Sequence, residues 1–220
     1  MRAIIFATTF LVAGPALAQT VAVDHGNIVL NDGKRHVALT HGGHDSDPVL
    51  TPDGKRVVFD RSGAADKAML SCDMEGKPVA ALSLWIVGTD GKGERKLLSG
   101  RGADKPEQAL CAFNSKQFST NGARLYFDSP AWATSSAVHV LDMGSGKEKF
   151  FLAGSLVRVL ANCKDARYRD ALIVNQHRYY VFAGSYDWTW LFTPQGKEVG
   201  PVGDEDPNMM FVDDACEYGD

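Results

Sequence analysis

Four of the six Gly-Lys pairs in this chain, Gly33-Lys34, Gly91-Lys92, Gly146-Lys147 and Gly196-Lys197, follow one another at intervals of 58, 55 and 50 residues. Each pair follows a run of apolar or aromatic residues and precedes another, which is the pattern of a hairpin turn whose glycine takes up a positive φ. A turn at a steady interval in a strand-rich chain constrains the fold more than composition does. Each unit is a small antiparallel sheet that buries its faces against its neighbours, and radial repetition is the arrangement that lets every unit do so. The intervals are slightly longer than the ~40 to 50 residues of one propeller blade, as insertions would make them. None of the six pairs has the earlier glycine of a phosphate-binding loop, and neither a G-x-S-x-G nor an H-E-x-x-H motif is present.

A second pattern lies in residues 39–60. Leu39-Thr40 ends one strand, Gly42-Gly43 marks a crossing loop, Asp45 and Pro48 precede a short strand at Val49-Leu50, and Thr51-Pro52-Asp53-Gly54-Lys55 turns the chain into the apolar strand Val57-Val58-Phe59. Pro presets φ for such a turn, Asp bonds its own backbone, and Gly accepts φ > 0. This wording resembles the repeat of the periplasmic TolB-like (WD40-like, PD40) β-propellers, in which Leu-Thr leads through Asp-x-x-Pro to Ser-Pro-Asp-Gly-Lys and a strand. Thr51 stands here for the usual Ser, and in the next unit Asn121 of Ser119-Thr120-Asn121-Gly122 stands for the Asp. The resemblance implies an all-β propeller. TolB itself has six blades and a separate N-terminal domain that finds no counterpart here, so what that domain does is not carried over.

Counted as blades, the chain gives an incomplete first unit with strands at 21–23, 27–30 and 35–39. A first full blade follows over 47–99 with an insertion carrying Cys72. A second has strands near 111–118, 124–127, 137–142 and 149–152, with Trp132 in a loop over 129–136, and a third has strands at 171–175, 179–183, 188–192 and 198–202. A last apolar stretch at 209–212 is expected to complete the first unit. The expectation is therefore a four-bladed β-propeller, its ring closed by strands from both chain ends.

Arg2, the apolar run 3–12 and Ala16-Leu17-Ala18 have the order of a secretory signal peptide, with cleavage after Ala18. The apolar run is broken at Gly14-Pro15 and falls short of the ~20 residues that span a bilayer. The expected product is a periplasmic or secreted protein of one domain, residues 19–220. Without Arg2 it carries 22 basic against 27 acidic residues, which argues against nucleic acid as a partner. Acids gather at the C-terminal end, from Asp204 to Asp220, where a solvated tail is the plain reading and a cation site or a dock for a basic partner the sharper one. Four cysteines in an exported chain imply two disulfides, and three connectivities are open. Pairing Cys72 with Cys111 and Cys163 with Cys216 would tie loops to neighbouring blades, and no C-x-x-C pair supports a redox or zinc motif.

Three segments carry candidate chemistry. His41, His44, Asp45 and Asp47 offer two imidazoles and two carboxylates, the donor set of a divalent ion, although the same residues fall in the ordinary turn pattern of the repeat. The richest segment is Asn175-Gln176-His177-Arg178-Tyr179-Tyr180 followed by Tyr186-Asp187-Trp188-Thr189-Trp190. Gln176, His177, Arg178, Tyr180, Trp188 and Trp190 are the expected binding residues, with Trp132 beside them. Aromatics and Arg are favoured at binding hot spots, while the competing role of the same rings is to fill space between blades. The functional expectation is an envelope module that binds a protein, or a small ligand or glycan, with no cofactor. The alternative is a lyase or hydrolase working in the central channel. Some related propellers are lyases with a metal held by several histidines at the ring centre, and this chain has six: His25, His36, His41, His44, His139 and His177.

Overall fold

The computed structural model describes residues 19–63, 69–71, 78–203, 212–213 and 216–217. Seventeen strands are laid out in them almost without helix. The first sheet is β1 (Thr20–Asp24), β2 (Asn27–Asn31) and β3 (His36–Ala38). The second is β4 (Asp45–Leu50), β5 (Arg56–Ser62), β8 (Leu82–Gly88) and β9 (Arg95–Ser99), interrupted by a small hairpin of β6 (Met69–Ser71) and β7 (Pro78–Ala80). The third is β10 (Asn114–Phe118), β11 (Arg124–Trp132), β12 (Ser135–Asp142) and β13 (Glu148–Ala153), and the fourth β14 (Ser155–Val159), β15 (Leu172–Tyr179), β16 (Ser185–Phe192) and β17 (Glu198–Gly203). Every pairing is antiparallel between strands adjacent in the order of each sheet, so all four main sheets are meanders.

The turns explain the repeats. Thr51 Oγ1 donates to Asp53 Oδ1 at 2.6 Å and accepts from the Arg56 amide at 3.0 Å, while Gly54 N bonds the Thr51 carbonyl at 2.8 Å. Ser119, Asn121, Gly122 and Arg124 repeat that set, with the Arg124 amide on Ser119 Oγ at 3.0 Å and Gly122 N on the Ser119 carbonyl at 2.8 Å. Thr for Ser and Asn for Asp leave the turn unchanged because the same atoms do the bonding. The glycines of the four evenly spaced Gly-Lys pairs have positive φ, 78°, 75°, 69° and 85° in chain order, which accounts for the recurrence.

Packing runs from sheet to sheet. Ile28, Leu30 and Leu39 meet Val57, Phe59 and Val87; Val58, Leu84 and Ile86 meet Phe113, Phe118, Leu125 and Phe127; Tyr126, Val138 and Val140 meet Leu156, Leu172, Val174 and Phe192. Successive residues of a strand point to opposite faces, so Val57-Val58-Phe59 and Leu125-Tyr126-Phe127 serve two interfaces each. On the far face of the fourth sheet, Leu160, Cys163, Ala171 and Ile173 are covered by Val212 and Cys216. Cys163 and Cys216 form a disulfide with Cα atoms 4.4 Å apart, and Lys164 N donates to the Cys216 carbonyl at 3.0 Å.

Four expectations change here. Of the closing strand at 209–212, residues 209–211 lie outside the described residues, and Val212 is helical and packs on the fourth sheet, whose open apolar face it covers. Among the described residues the first sheet has three strands, all from the N-terminal end. Residues 179–183 are largely the tip of the β15–β16 hairpin, and the missing strand of that sheet is β14, whose apolar alternation is hidden by Arg158 and a register shift between Leu156 and Arg158. Trp132 closes β11 instead of sitting in a loop.

Candidate functional site

The β15–β16 register runs unbroken from Leu172 opposite Phe192 to Tyr179 opposite Ser185. Period-two alternation therefore sets Gln176, Arg178, Tyr186, Trp188 and Trp190 on the face toward the third sheet, and His177 and Asp187 on the other. The sequence-predicted residues are thus brought together, apart from His177 and Trp132. Gln176 Nε2 reaches across to the Ala153 carbonyl at 2.6 Å. The Arg178 guanidinium lies 3.5 Å over the Trp190 ring, bonds Gln176 Oε1 through Nε at 3.0 Å, and pairs with Glu198 at 2.6 Å. His177 Nδ1 is 3.0 Å from Asp187 Oδ1 and its ring meets Tyr179 edge-on at 5.1 Å. These polar groups hold the hairpin together. What they leave free is its tip, where Tyr180 N closes the turn on the Gly184 carbonyl at 3.0 Å. There Tyr179 is 74%, Val181 93% and Phe182 100% exposed, and the Tyr180 ring packs 4.7 Å from Tyr186. Trp132 ends β11 at the same end of the sheets, half-buried.

The Arg178–Trp190–Glu198 group belongs to a series that is invisible in the sequence. Trp85 on β8 carries the Arg61 guanidinium 4.5 Å over its ring, and Arg61 pairs with Glu94 at 2.6 Å. At the corresponding place on β12 stands His139, fully buried and stacked on Phe127, with Nδ1 2.6 Å from Glu148, which Arg101 meets at 2.7 Å. An aromatic ring, a glutamate eight or nine residues later and an arginine recur in three sheets as packing units.

The proposed metal donors are dispersed. Both Asp45 oxygens are taken by Arg61, at 2.5 and 2.9 Å, and Asp47 pairs with Lys116 at 2.6 Å. His41 and His44 line an open cleft of about 400 Å³ with Arg61, Ser62, Gly63 and Glu94. Among the described residues no group of three or more His, Cys, Asp or Glu side chains could hold an ion. Cys111 is disulfide-bonded, and the expected partner Cys72 lies outside the described residues.

Sequence reasoning missed a buried ionic group between the second and third sheets. Lys116 Nζ, with no exposed side-chain surface, donates to Asp47 at 2.6 Å, Asp60 at 2.9 Å and the Phe113 carbonyl at 2.8 Å. Burial pushes the Asp60 carboxyl up to about 6, against the opposing pull of Lys116. Asp128 takes the same place one sheet later, accepting from Leu156 N at 3.1 Å, and burial raises it as well. The only sequence signal was Phe59-Asp60 recurring as Phe127-Asp128. With all three donors of Lys116 engaged, the ammonium is a tie between sheets and not a nucleophile.

No family model matches the chain, and no curated protein matches its sequence. Solved structures do. Dipeptidyl peptidase 4 of Porphyromonas gingivalis superposes with a TM-score of 0.56 and 12% identity, over 86% of this chain and 31% of that one. A protein assigned as TolB from Agrobacterium tumefaciens gives 0.52 and 12%, over 85% and 58%. The fold is that of a β-propeller. An oligogalacturonate lyase in complex with manganese gives 0.50 and 13%, over 82% and 42%. A peptidase, a TolB and a lyase share this propeller geometry, so the likeness carries fold and no activity. The chain spans less than two thirds of the length of each.

Proposed function

We propose that this propeller, residues 19–220 after a signal peptide of residues 1–18, is exported to the cell envelope and binds a protein partner there through the β15–β16 tip. The observation that carries this reading is the run Tyr179-Tyr180-Val181-Phe182, four large apolar side chains that a monomer would leave in water. The tip is convex, so it cannot enclose a small ligand or a glycan; the partner has to supply the concavity. A membrane surface fits less well than a protein cleft, because the basic groups at the base of the hairpin are already paired, Arg178 with Glu198 and His177 with Asp187, and the chain is net acidic. A lyase or hydrolase reading would need histidines converging on the channel. Instead His41 and His44 line one cleft, His139 is buried against Phe127, and His177 faces Asp187.

The test is a photo-reactive phenylalanine analogue at position 182, irradiated in cells that export the protein. A discrete adduct with one envelope protein is expected, together with loss of co-purification of that protein from Val181→Ser/Phe182→Ser. Co-purification that survives the double substitution, with no adduct at position 182, would remove the tip from the interaction.

A further inference from the structure

At the end of the sheets opposite the aromatic tip, a cleft of about 560 Å³ opens between the outer hairpins of the third and fourth sheets. One wall is a single face of the third sheet: Arg124 from β11, Val140 from β12, and Lys149 and Phe151 from β13. Lys147 joins it from the β12–β13 turn, and the other wall is the β16–β17 turn with Pro194 and Gln195. The volume lies within the range of small-molecule sites. Arg124 spans the two walls, donating from Nη1 to the Pro194 carbonyl at 3.0 Å and to Tyr126 Oη at 3.4 Å, and its Nε and Nη2 meet no acceptor among the described residues.

Charge in this cleft is net positive, with Arg124, Lys147 and Lys149 against Asp142 and Glu148. Glu148 is turned away onto other partners, while Asp142 stays ionised and is held by neutral groups of its own turn. Asp142 Oδ1 accepts from Ser145 N at 2.7 Å and Ser145 Oγ at 2.8 Å, folded onto its own turn. The Glu148 side chain is 6% exposed, with one oxygen on His139 and the other on Arg101, directed into the interface with the second sheet. Lys147 and Lys149 meet no carboxylate among the described residues. Lys147, Lys149 and Arg124 thus line the cleft together with Phe151 and Val140, and Ser145 and Gln195 also border it.

We infer that this cleft binds a small organic polyanion, a molecule bearing two or more acidic groups on a short carbon skeleton. Lys147, Lys149 and Arg124 meet the acidic groups, and Phe151 packs against the skeleton. The acidic groups are carboxylates or phosphates, since ammonium and guanidinium serve both. The site is independent of the hairpin tip, from which it is separated by the length of the sheets.

Calorimetric titration of the purified protein with citrate and, separately, with fructose 1,6-bisphosphate tests the inference and distinguishes the two acids. Saturable one-to-one binding of at least one is expected, weakened tenfold or more by Lys147→Gln/Lys149→Gln, unchanged in Val181→Ser/Phe182→Ser, and declining with added salt. A second pair of neutralised lysines, Lys34→Gln/Lys55→Gln, removes the same charge from residues outside the cleft lining and should leave affinity within twofold. Failure of both probes to saturate, or equal weakening by the two lysine pairs, would overturn the inference. Thermal melts of each variant confirm that the folded protein is being compared.

Discussion

Lys116 is an expensive residue to bury, and its neighbours show why it is tolerated. Removing an ammonium from water costs several kcal/mol unless its donors are met, and here three acceptors on two sheets meet them. The carboxyl of Asp60 carries part of that strain, titrating near 6 because burial outweighs Lys116. Its folded pKa lies above the unfolded value of 3.8, so the contribution of Asp60 to stability is complete below about pH 4 and disappears as pH rises through about 6. Asp60→Asn should therefore narrow the difference in melting temperature between pH 4 and pH 7 relative to wild type, as followed by circular dichroism. Lys116→Met leaves the carboxyl without its cation. A loss of about 3–5 kcal/mol in urea unfolding is expected at pH 8, and a smaller one at pH 5, where Asp60 takes up a proton. Position 116 fell inside an expected inner strand, but its partners come from β4 and β5, more than fifty residues away. No local pattern announces a pair of that separation.

At the level of elements, hairpins were the legible part. Strands β5, β8, β9 and β11 to β13 follow apolar or aromatic runs ended by Asp-Gly, Asn-Gly or Gly-Lys, and the glycines occupy the left-handed region those turns need. The β15–β16 hairpin misleads for a physical reason. Tyr-Tyr-Val-Phe has high strand propensity, yet propensity in strands reflects a half-buried surface to pack on, and Val181 and Phe182 have almost none. They can be replaced without loss of fold. Val181→Ser/Phe182→Ser should change unfolding free energy by less than about 0.5 kcal/mol, and should reduce any self-association seen by analytical ultracentrifugation. Destabilisation of several kcal/mol would mean that the tip is packed in solution. Trp188 and Trp190 share a face by alternation, and Trp190 sits under Arg178 as a packing ring.

Across the whole molecule, three apolar interfaces join four sheets in chain order, and the outer face of the fourth is covered by Val212 and Cys216. The Cys163–Cys216 bond encloses a separation of 53 residues, long enough for cross-linking to restrict the unfolded chain appreciably. Replacing both by Ser should lower stability by about 2–4 kcal/mol, measured by thermal melting without reductant. An unchanged melting temperature would show that Val212 and the ion pair of Arg158 with Asp213 hold the segment by themselves.

The sequence by itself determined the repeated unit. Turn chemistry and period-two alternation are local, acting over a handful of residues, so hairpins, their order and the β-propeller class follow from reading along the chain. Tertiary structure alone decided which polar residues are spent and which are available. Asp45 and Asp47 could be metal donors on paper until Arg61 and Lys116, supplied by other strands, engage them. Arg178 and His177 could be binding groups until Glu198 and Asp187 do the same. What remains uncovered among the described residues, Val181 and Phe182 at the tip and the lysines of the opposite cleft, is decided by which groups meet in space, and that is what a linear pattern does not encode.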